Sequence, residues 1–457
     1  MTSILRSITG FLALALGACS SANDPGPSGG TAAGGGAQAA GGSSSGAGGQ
    51  SVAGAAATSG GGGGPAAGGS NSSAGAGGKA GSAGSGVVDV TSQCDSPVGP
   101  GLPVGAPTLV AGTWQDISPA GVAFGSGDAP VFTQGMAVDP CDPAVLYLTA
   151  DSFDATQGGL FKSVDAGSTW ARIATVVPNF TGVDHLDEPI RIRIDPKDTQ
   201  HLYVGDGVRG GTSGFWVSTD GGANFEMPQS YIDLKTAPGI YVYDVYDVAV
   251  DPTDFSHVLV SFHSGWGGDY GDDAGILEST DGGGSWIVHP PDGWGGHGHA
   301  VHFLYQPELG LGDSSTWLVS TQDGTRHRTT DAGQTWSEST TGGIVHGGGT
   351  IYYTKTGVLY ASGYPQNVRS TDNGATWTSI GNIASTAIFG DGTSLYSGAV
   401  FGPAPVITSL ESDGTTWAAF NDQQFAQGPF EFAYDSLNRV LYNASWTAGL
   451  WALKPSD

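Results

Sequence analysis

The chain has 457 residues and a formal net charge of −27, from 42 Asp and Glu against 15 Lys and Arg. A chain this acidic has no basic stripe with which to displace counterions from phosphates, which argues against nucleic acid, and it disfavours docking on anionic lipid. The composition suits a soluble domain outside the cell that binds neutral or cationic ligands.

The N-terminus is predicted to be a targeting segment over residues 1–18. Arg6 provides a positive charge, and residues 11–16 form a short apolar run. The segment Leu16-Gly-Ala-Cys19 resembles the lipobox of bacterial lipoproteins, which implies that Cys19 becomes the lipidated first residue of the mature protein. A plain secretory signal is the alternative. We expect an exported protein at the outer membrane or cell surface, attached to the membrane only through this lipid.

Residues 19–89 are predicted to be a disordered tether. From about Ser20 to Gly86 the sequence is almost entirely Gly, Ala and Ser, a composition that buries too little apolar surface to offset its chain entropy. A flexible chain of about 65 residues has a root-mean-square span of roughly 45 Å. Such a tether would lift a folded domain clear of a membrane surface.

Two cysteines follow the tether, Cys94 and Cys141. In an exported chain two cysteines pair more often than not. A disulfide between them would join the start of the folded domain to its first strands, and two free thiols are the alternative.

One eight-residue turn recurs through the rest of the chain about every 40 to 60 residues, which indicates repeated supersecondary units. An Asp that accepts backbone hydrogen bonds, a Gly two residues later with positive φ, and a closing aromatic residue are typical of a β-hairpin turn. The turn resembles the Asp-box (BNR) repeat of sialidases, xyloglucan-cleaving hydrolases, sortilin-type receptors and photosystem assembly factors. We interpret its aspartates as structural: Asp165, Asp220, Asp281, Asp331 and Asp372, with a degenerate sixth copy ending at Trp417.

Short apolar strands between these turns predict an all-β fold, a single seven-bladed β-propeller over residues 90–457. The last blade has no turn of this kind and lacks a fourth strand, which residues 112–117 from the start of the domain are expected to supply. Closing the ring with strands from both ends removes exposed sheet edges. A six-bladed ring and an eighth blade are the alternatives, and we expect a monomer.

The turns define two faces of the predicted ring. Because the first-to-second and third-to-fourth turns of a blade lie together, the Asp-box turns mark one face, here the box face. Ligand chemistry is expected on the opposite, open face, whose longer loops sit on a rigid frame. Aromatic rings beside carboxylates and imidazoles suit sugars, so the candidate substrate-binding residues are Asp206, Arg209, His263, Trp266, Trp294, His299 and Trp446.

Four polar residues align on the predicted first strands, which line the central channel. Arg191, Asp247, His302 and Glu431 each stand four positions before the strand's terminal turn. Buried charges must be paired or hydrated. We expect these residues to cluster, either as a hydrogen-bonded ring that closes the channel or as a catalytic site that exchanges protons with a substrate.

His297, His299 and His302 raise the question of a metal centre. His297 and His299 share one side of a strand, but His302 has the opposite parity, so a third ligand is missing. The sequence predicts no transition metal and no cofactor, and it leaves room for a structural calcium ion.

The segment from Gly135 to Asp151 resembles the first blade of xyloglucan-cleaving hydrolases, in which an Asp after the Leu-Tyr strand is a catalytic carboxylate. The resemblance assigns that role to Asp151 and implies a polysaccharide or oligosaccharide substrate. Those enzymes carry a second carboxylate on a second propeller, so here Asp247 or Glu431 would have to supply it. The alternatives are a non-catalytic glycan- or protein-binding propeller and a polysaccharide lyase that uses Arg191 and His302.

Overall fold

The computed structural model describes part of the chain. The described residues are 94, 97–125, 130–152, 154, 156–174, 184–207, 210–291, 294, 296–321, 325–339, 349–381, 384–399 and 401–456. The predicted signal segment, Cys19, the predicted tether and Arg209 lie outside them, so the expectations for these parts stay predictions. No helix in the described part of the chain is both long and apolar enough to cross a membrane.

Nearly all regular structure is β-strand. In chain order the strands are β1 (Gln115–Asp116), β2 (Met136–Val138), β3 (Leu146–Ala150), β4 (Gly159–Ser163), β5 (Ala171–Arg172), β6 (Pro189–Ile194), β7 (Leu202–Asp206), β8 (Gly214–Ser218), β9 (Val245–Val250), β10 (Val258–Phe262), β11 (Ile276–Ser279), β12 (Ile287–His289), β13 (Gly298–Phe303), β14 (Trp317–Thr321), β15 (Arg326–Thr329), β16 (Ser337–Ser339), β17 (Ile351–Tyr353), β18 (Leu359–Ala361), β19 (Val368–Ser370), β20 (Thr378–Ser379), β21 (Ile388–Gly390), β22 (Ser394–Gly398), β23 (Val406–Leu410), β24 (Ala418–Ala419), β25 (Pro429–Asp435), β26 (Val440–Ser445) and β27 (Gly449–Leu453). Among the described residues there is one helix, α1 (Gln229–Lys235), and a single 3-10 turn at Pro307–Leu309.

The strands form seven antiparallel sheets, which are the blades of the predicted propeller. Blade one is β2–β5, blade two is β6–β8, and blades three to six take β9–β12, β13–β16, β17–β20 and β21–β24 in turn. Blade seven combines β25, β26 and β27 with β1. The prediction of a seven-bladed all-β propeller is confirmed.

Strands from both ends of the domain close the ring, as predicted. In blade seven Gln115 of β1 lies opposite Ala452 of β27, and Asp116 lies opposite Trp451. Trp114, just before β1, is buried with its ring edge-on to Phe425, 5.8 Å between centroids. The closing strand is short, so this buried aromatic contact adds apolar burial that two backbone pairs alone would not provide.

Blade two departs from the prediction of a fourth strand after every Asp-box turn. Glu226 makes only an isolated bridge to Val217. Pro228 then ends the pairing, because it has no N–H to donate, and α1 follows directly. Tyr231 of α1 is fully buried. The helix has seven residues, too few for a 3.6-residue repeat to stand out in the sequence.

The Asp-box aspartates are held by their own turns. Asp165 Oδ1 accepts hydrogen bonds from Thr169 N at 2.8 Å and Ser163 Oγ at 2.8 Å, and Oδ2 accepts one from Thr169 Oγ1 at 2.6 Å. Residue 167 has φ of 90°, which glycine adopts without strain. Equivalent bonds hold the other four aspartates: Asp220, Asp281, Asp331 and Asp372.

A disulfide joins Cys94 to Cys141, the pair considered from the sequence. Val98 N also donates to Cys141 O at 2.8 Å. The start of the described domain is thereby fixed to the turn between β2 and β3.

Candidate functional site

The residues aligned on the first strands meet in a buried ion-pair network. Arg191 Nε lies 3.3 Å from Asp247 Oδ1, and Arg191 Nη1 lies 3.5 Å from Glu431 Oε2. Arg193 joins both carboxylates, with Nη2 at 3.2 Å from Asp247 Oδ1 and Nη1 at 3.5 Å from Glu431 Oε1. Three blades therefore supply two arginines and two carboxylates to one network, and their charges compensate each other.

Backbone groups complete this network. Glu431 Oε2 accepts a hydrogen bond from Met136 N at 3.0 Å, and Asp247 Oδ1 accepts one from Val248 N at 2.9 Å. His302 is buried, its Nε2 lies 2.5 Å from Gly349 O, and burial lowers its pKa. These contacts fit the ring that closes the channel, one of the two outcomes expected from the sequence. The predicted catalytic roles of Arg191, Asp247, His302 and Glu431 are untested, and their side chains are buried and paired.

Gln134 connects the ion-pair network to Asp151. Its backbone oxygen accepts a hydrogen bond from Arg191 Nη1, and its side-chain Nε2 donates to Asp151 Oδ2 at 2.8 Å. Asp151 follows β3 directly and lies on the open face, since β3 begins at the box face. The other carboxylate oxygen, Asp151 Oδ1, has no hydrogen-bond partner among the described residues.

Asp151 belongs to a cluster of buried carboxylates at strand ends of the open face. Each of the others lies at or beside the open-face end of β6, β7 or β9; the set is Asp151, Asp187, Glu188, Asp206 and Asp244. Gly158 allows the segments of blades one and two to approach: an added Cβ there would lie 2.3 Å from Asp187 O and 2.8 Å from Ala150 O. A side chain at this position would force the segments around Asp151 and Glu188 apart.

The members of this acidic cluster differ in how they are hydrogen-bonded. Asp187 is satisfied, because Gly211 N donates to Oδ2 at 2.8 Å and the Thr212 hydroxyl and N–H donate to Oδ1. Asp206 Oδ2 accepts from Thr212 Oγ1 at 3.1 Å, and its Oδ1 has no partner among the described residues. Glu188 Oε2 likewise has none there. Unpaired buried oxygens are costly when ionised.

The pKa values of the acidic cluster follow from this arrangement. Burial raises the pKa of Asp151 to about 7, with the charges of Asp187 and Asp244 adding to the shift and the Gln134 hydrogen bond opposing it. Burial first, and then repulsion from Asp151 and other carboxylates, raises the pKa of Glu188 further. The pKa of Asp206 is also raised, by burial and by Asp187. Glu188 therefore keeps its proton near neutral pH.

Three histidines stack beside this cluster. His263 and His299 are stacked with 5.3 Å between ring centroids and 24° between ring planes, and His297 and His299 are stacked at 5.6 Å and 26°. His263 Nδ1 lies 3.9 Å from Asp244 Oδ2. Among the described residues no group of three or more His, Cys, Asp or Glu side chains has the arrangement of metal ligands.

The structure corrects two of the predicted sugar-binding aromatic residues. Trp266 is fully buried against Phe262, and Trp294 is buried with its ring parallel to His327 at 5.5 Å. Each indole is buried because it removes more apolar surface from water in the core than it would at the rim. Neither ring has a face left for a ligand. Trp446 is half-buried between Phe132 and Phe430.

Sequence reasoning missed several residues of this region. Asp187 and Glu188 stand in a charge-rich segment, but nothing in the repeat pattern places that segment next to Asp151. Gln134 stands one residue before the aligned position of blade one, Gly135. Polar residues directly before the aligned position of a first strand are therefore also candidates, and this pattern identifies Gln134.

Comparison with known proteins agrees with the fold. No known family profile matches the chain. A xyloglucanase of Paenibacillus sp is 29% identical over 279 residues, which cover 54% of this chain and 26% of that protein. A xyloglucanase of Hypocrea jecorina is 27% identical over 299 residues, 57% of this chain and 34% of that protein. The chain thus spans about a quarter to a third of the length of these curated relatives.

Among solved structures, the extracellular domain of a hybrid two-component system protein from B. thetaiotaomicron superposes with a TM-score of 0.52 at 12% identity. The superposition covers 76% of this chain and 42% of that one. The predicted resemblance to Asp-box propellers is confirmed. The chain is a seven-bladed propeller whose sequence is similar to parts of glycoside hydrolases.

Proposed function

We propose that the propeller binds a polysaccharide on its open face and hydrolyses a glycosidic bond, with Asp151 and Glu188 as the two carboxylates. The observation that carries the proposal is the unequal setting of this pair. Asp151 accepts a hydrogen bond from Gln134, which favours its ionised form, whereas Glu188 Oε2 has no partner among the described residues. Glycosidases need one protonated and one ionised carboxyl group.

The roles of the two groups follow from their pKa values. Glu188, with the more strongly raised pKa, keeps its proton and acts as the general acid toward the leaving oxygen. Asp151 loses its proton more readily and acts as the base or nucleophile at the anomeric carbon. A single propeller would then hold both carboxylates, with Glu188 in the role that the resemblance left to Asp247 or Glu431.

Arg191, Asp247, His302 and Glu431 enter this proposal as support. The two carboxylates are already paired with arginines, so neither is well placed to be the second catalytic acid. The same pairing argues against the lyase alternative, because Arg191 would have to leave both partners to neutralise a uronate. Their proposed role is to hold Gln134, and through it Asp151.

Substitution of the pair tests the proposal. With soluble xyloglucan as substrate, Asp151→Asn and Glu188→Gln should each lower kcat by about 10²- to 10⁴-fold, the range of general acid–base catalysis. With an aryl glycoside whose leaving group needs no protonation, Glu188→Gln should recover activity and Asp151→Asn should not. The matched control is Asp165→Asn in an Asp-box turn. Wild-type turnover in both variants would refute the assignment.

A non-catalytic glycan-binding propeller is the second candidate. It is favoured by the burial of the pair, since Asp151 is 4% and Glu188 is 5% exposed. Affinity electrophoresis of the wild-type protein in gels that contain xyloglucan separates the two. Retardation without release of reducing ends supports the binding module, and release of reducing ends supports the enzyme.

We further propose that the protein is exported, anchored through a lipid on Cys19, and monomeric. The support is the lipobox-like sequence and the similarity to polysaccharide-cleaving enzymes. Replacement of Cys19 by Ala should move the protein from the membrane fraction to the soluble fraction. Full retention in the membrane fraction would contradict lipidation.

A further inference from the structure

The segment between α1 and β9 presents two tyrosines on the open face. Tyr241 is 48% exposed and Tyr243 is 42% exposed, while Ile240 before them and Val242 between them are buried. This alternation places both phenol rings on the outer side and both aliphatic side chains in the core. In an extended segment, residues two apart lie about 6.5 Å from each other, which is close to the length of one sugar unit in a polysaccharide chain.

Three hydrogen bonds hold this tyrosine segment. Tyr231 of α1 donates its hydroxyl to Val242 O at 2.8 Å, and Tyr241 N donates to Trp266 O at 2.7 Å. Asp244 N donates to Ser213 Oγ at 2.7 Å. The rings are therefore carried by a fixed backbone, which reduces the ordering cost of binding. The helix that the sequence did not predict is one of the supports.

The tyrosine segment also adjoins the acidic cluster. The Lys235 ammonium lies 4.7 Å from the centroid of the Tyr243 ring and donates to Ser213 O, so one face of that ring is covered and positioned. Asp244 follows with φ of 53°, a left-handed conformation that is uncommon for a residue other than glycine. This turn leaves Tyr243 outside while the Asp244 carboxylate points inward to the Ser264 hydroxyl.

We propose that Tyr241 and Tyr243 form a carbohydrate subsite that stacks two consecutive pyranose rings beside the acidic cluster. The ligand class is an uncharged polysaccharide, because an anionic one would be repelled by the neighbouring carboxylates and by the net charge of −27. The inference rests on the proposed function only for the kind of ligand, since stacking requires no cleavage. A protein partner is the competing occupant.

Affinity electrophoresis with soluble xyloglucan tests the subsite, with uncharged mannan and anionic polygalacturonate gels beside it. Tyr241→Ala and Tyr243→Ala should each weaken retardation by about tenfold, the usual cost of removing an aromatic contact at the centre of a binding surface. Tyr241→Phe should bind as the wild type does, because the ring and not the hydroxyl makes the contact. The control is Phe401→Ala, since Phe401 is 48% exposed on blade six.

Three outcomes would overturn the subsite. They are wild-type affinity in both alanine variants, an equal loss in Phe401→Ala, and no retardation of the wild-type protein by either uncharged polymer. Near-ultraviolet circular dichroism of each variant, matched to the wild type, excludes misfolding as the cause of a loss. Reducing ends are assayed in parallel. Binding without products leaves the subsite intact and refutes hydrolysis, whereas products with undiminished binding in the tyrosine variants refute the subsite alone.

Discussion

The box face and the open face use the same side chain in opposite settings. On the box face the Asp-box aspartates lie near the surface, where donors of their own turns surround them. Partial burial alone would raise the pKa of Asp165, but the hydrogen bonds from Thr169 and Ser163 lower it. On the open face Asp151, Glu188 and Asp206 are buried beside one another, and their pKa values are raised. Carboxylates that stabilise turns thus lie at one end of the strands, and carboxylates with raised pKa values lie at the other end.

The largest expected loss of stability comes from a substitution in the ion-pair network, which lies between the two faces. Removing one partner of a buried pair leaves the other charges uncompensated, so Arg191→Met should lower the free energy of unfolding by about 3–5 kcal/mol. Arg172→Met is the control, because Arg172 is exposed and donates mainly to Thr156 O. Denaturant unfolding of both variants measures the difference. Equal stability of the two would mean that the network contributes little to the fold.

The next effect lies on the box-face side of blade three. Glu278 accepts from His257 Nε2 at 3.0 Å and His289 Nε2 at 2.9 Å. Burial lowers the pKa of His257, but the hydrogen bonds that its ring donates to the Asp251 and Glu278 carboxylates raise it to about 9. Glu278→Gln should cost about 2 kcal/mol at pH 7, as for a hydrogen bond to a charged group. Glu338→Gln on an exposed strand is the control.

The same cluster predicts a pH dependence. Because the folded pKa of His257 is raised above its ordinary 6.5, its contribution is complete below pH 6.5 and is lost as the pH rises through about 9. Wild-type stability, measured by urea unfolding at each pH, should therefore fall over that window more steeply than that of Glu278→Gln. If the wild type and Glu278→Gln had parallel stability profiles against pH, His257 would not be the source of the pH dependence.

On the open face stability should also fall as the pH rises, but the substitution should stabilise the protein instead of destabilising it. A carboxyl group whose folded pKa is raised destabilises the fold progressively as the pH rises above its ordinary value, 4.5 for Glu188. Glu188→Gln should therefore stabilise the protein by about 1–2 kcal/mol at pH 7.5 and by almost nothing at pH 4. Urea unfolding at both pH values measures this, with exposed Glu226→Gln as control. If Glu188→Gln were less stable than the wild type at pH 7.5, the proposed difference between the carboxylates of the two faces would be wrong.

The smallest effect belongs to a single Asp-box turn. Asp165→Ala removes the acceptor of three hydrogen bonds near the surface and should cost about 1 kcal/mol. Glycosidase activity and glycan binding should stay at the wild-type level, because the turn lies on the box face. Thermal unfolding together with the xyloglucan assay measures both. A loss of activity at unchanged stability would contradict the division between the faces.

Much of the fold was readable because it repeats. Each Asp-box turn marks a hairpin through local chemistry, and the shared position before the first turn brought Arg191, Asp247 and Glu431 together correctly. Blade closure by residues near Trp114 was readable because blade seven lacked a strand. The helix α1 could not be predicted, because seven residues are too few to show a helical repeat in the sequence.

The candidate site was less readable because it depends on contacts between loops that do not repeat. Asp151 was assigned by resemblance, but its neighbour Glu188 comes from the segment before β6 in blade two. Trp266 was expected to face solvent, since an aromatic residue in a glycine-rich loop has the same sequence signal whether the loop extends or folds inward. The exposed Tyr241 follows an unpredicted helix, so its orientation had no basis in the strand pattern.

The pairing of β1 with β27 also sets the order in which the molecule is completed. Gln115 leaves the ribosome before any of the first six blades, yet its partner Ala452 follows all of them. Contacts between residues so distant in sequence form late and slowly. Until β27 is made, β1 has no partner strand and the ring is not closed. If the chain crosses a membrane from its N-terminus to its C-terminus, β27 emerges last. The ring could then close only after the whole chain has crossed.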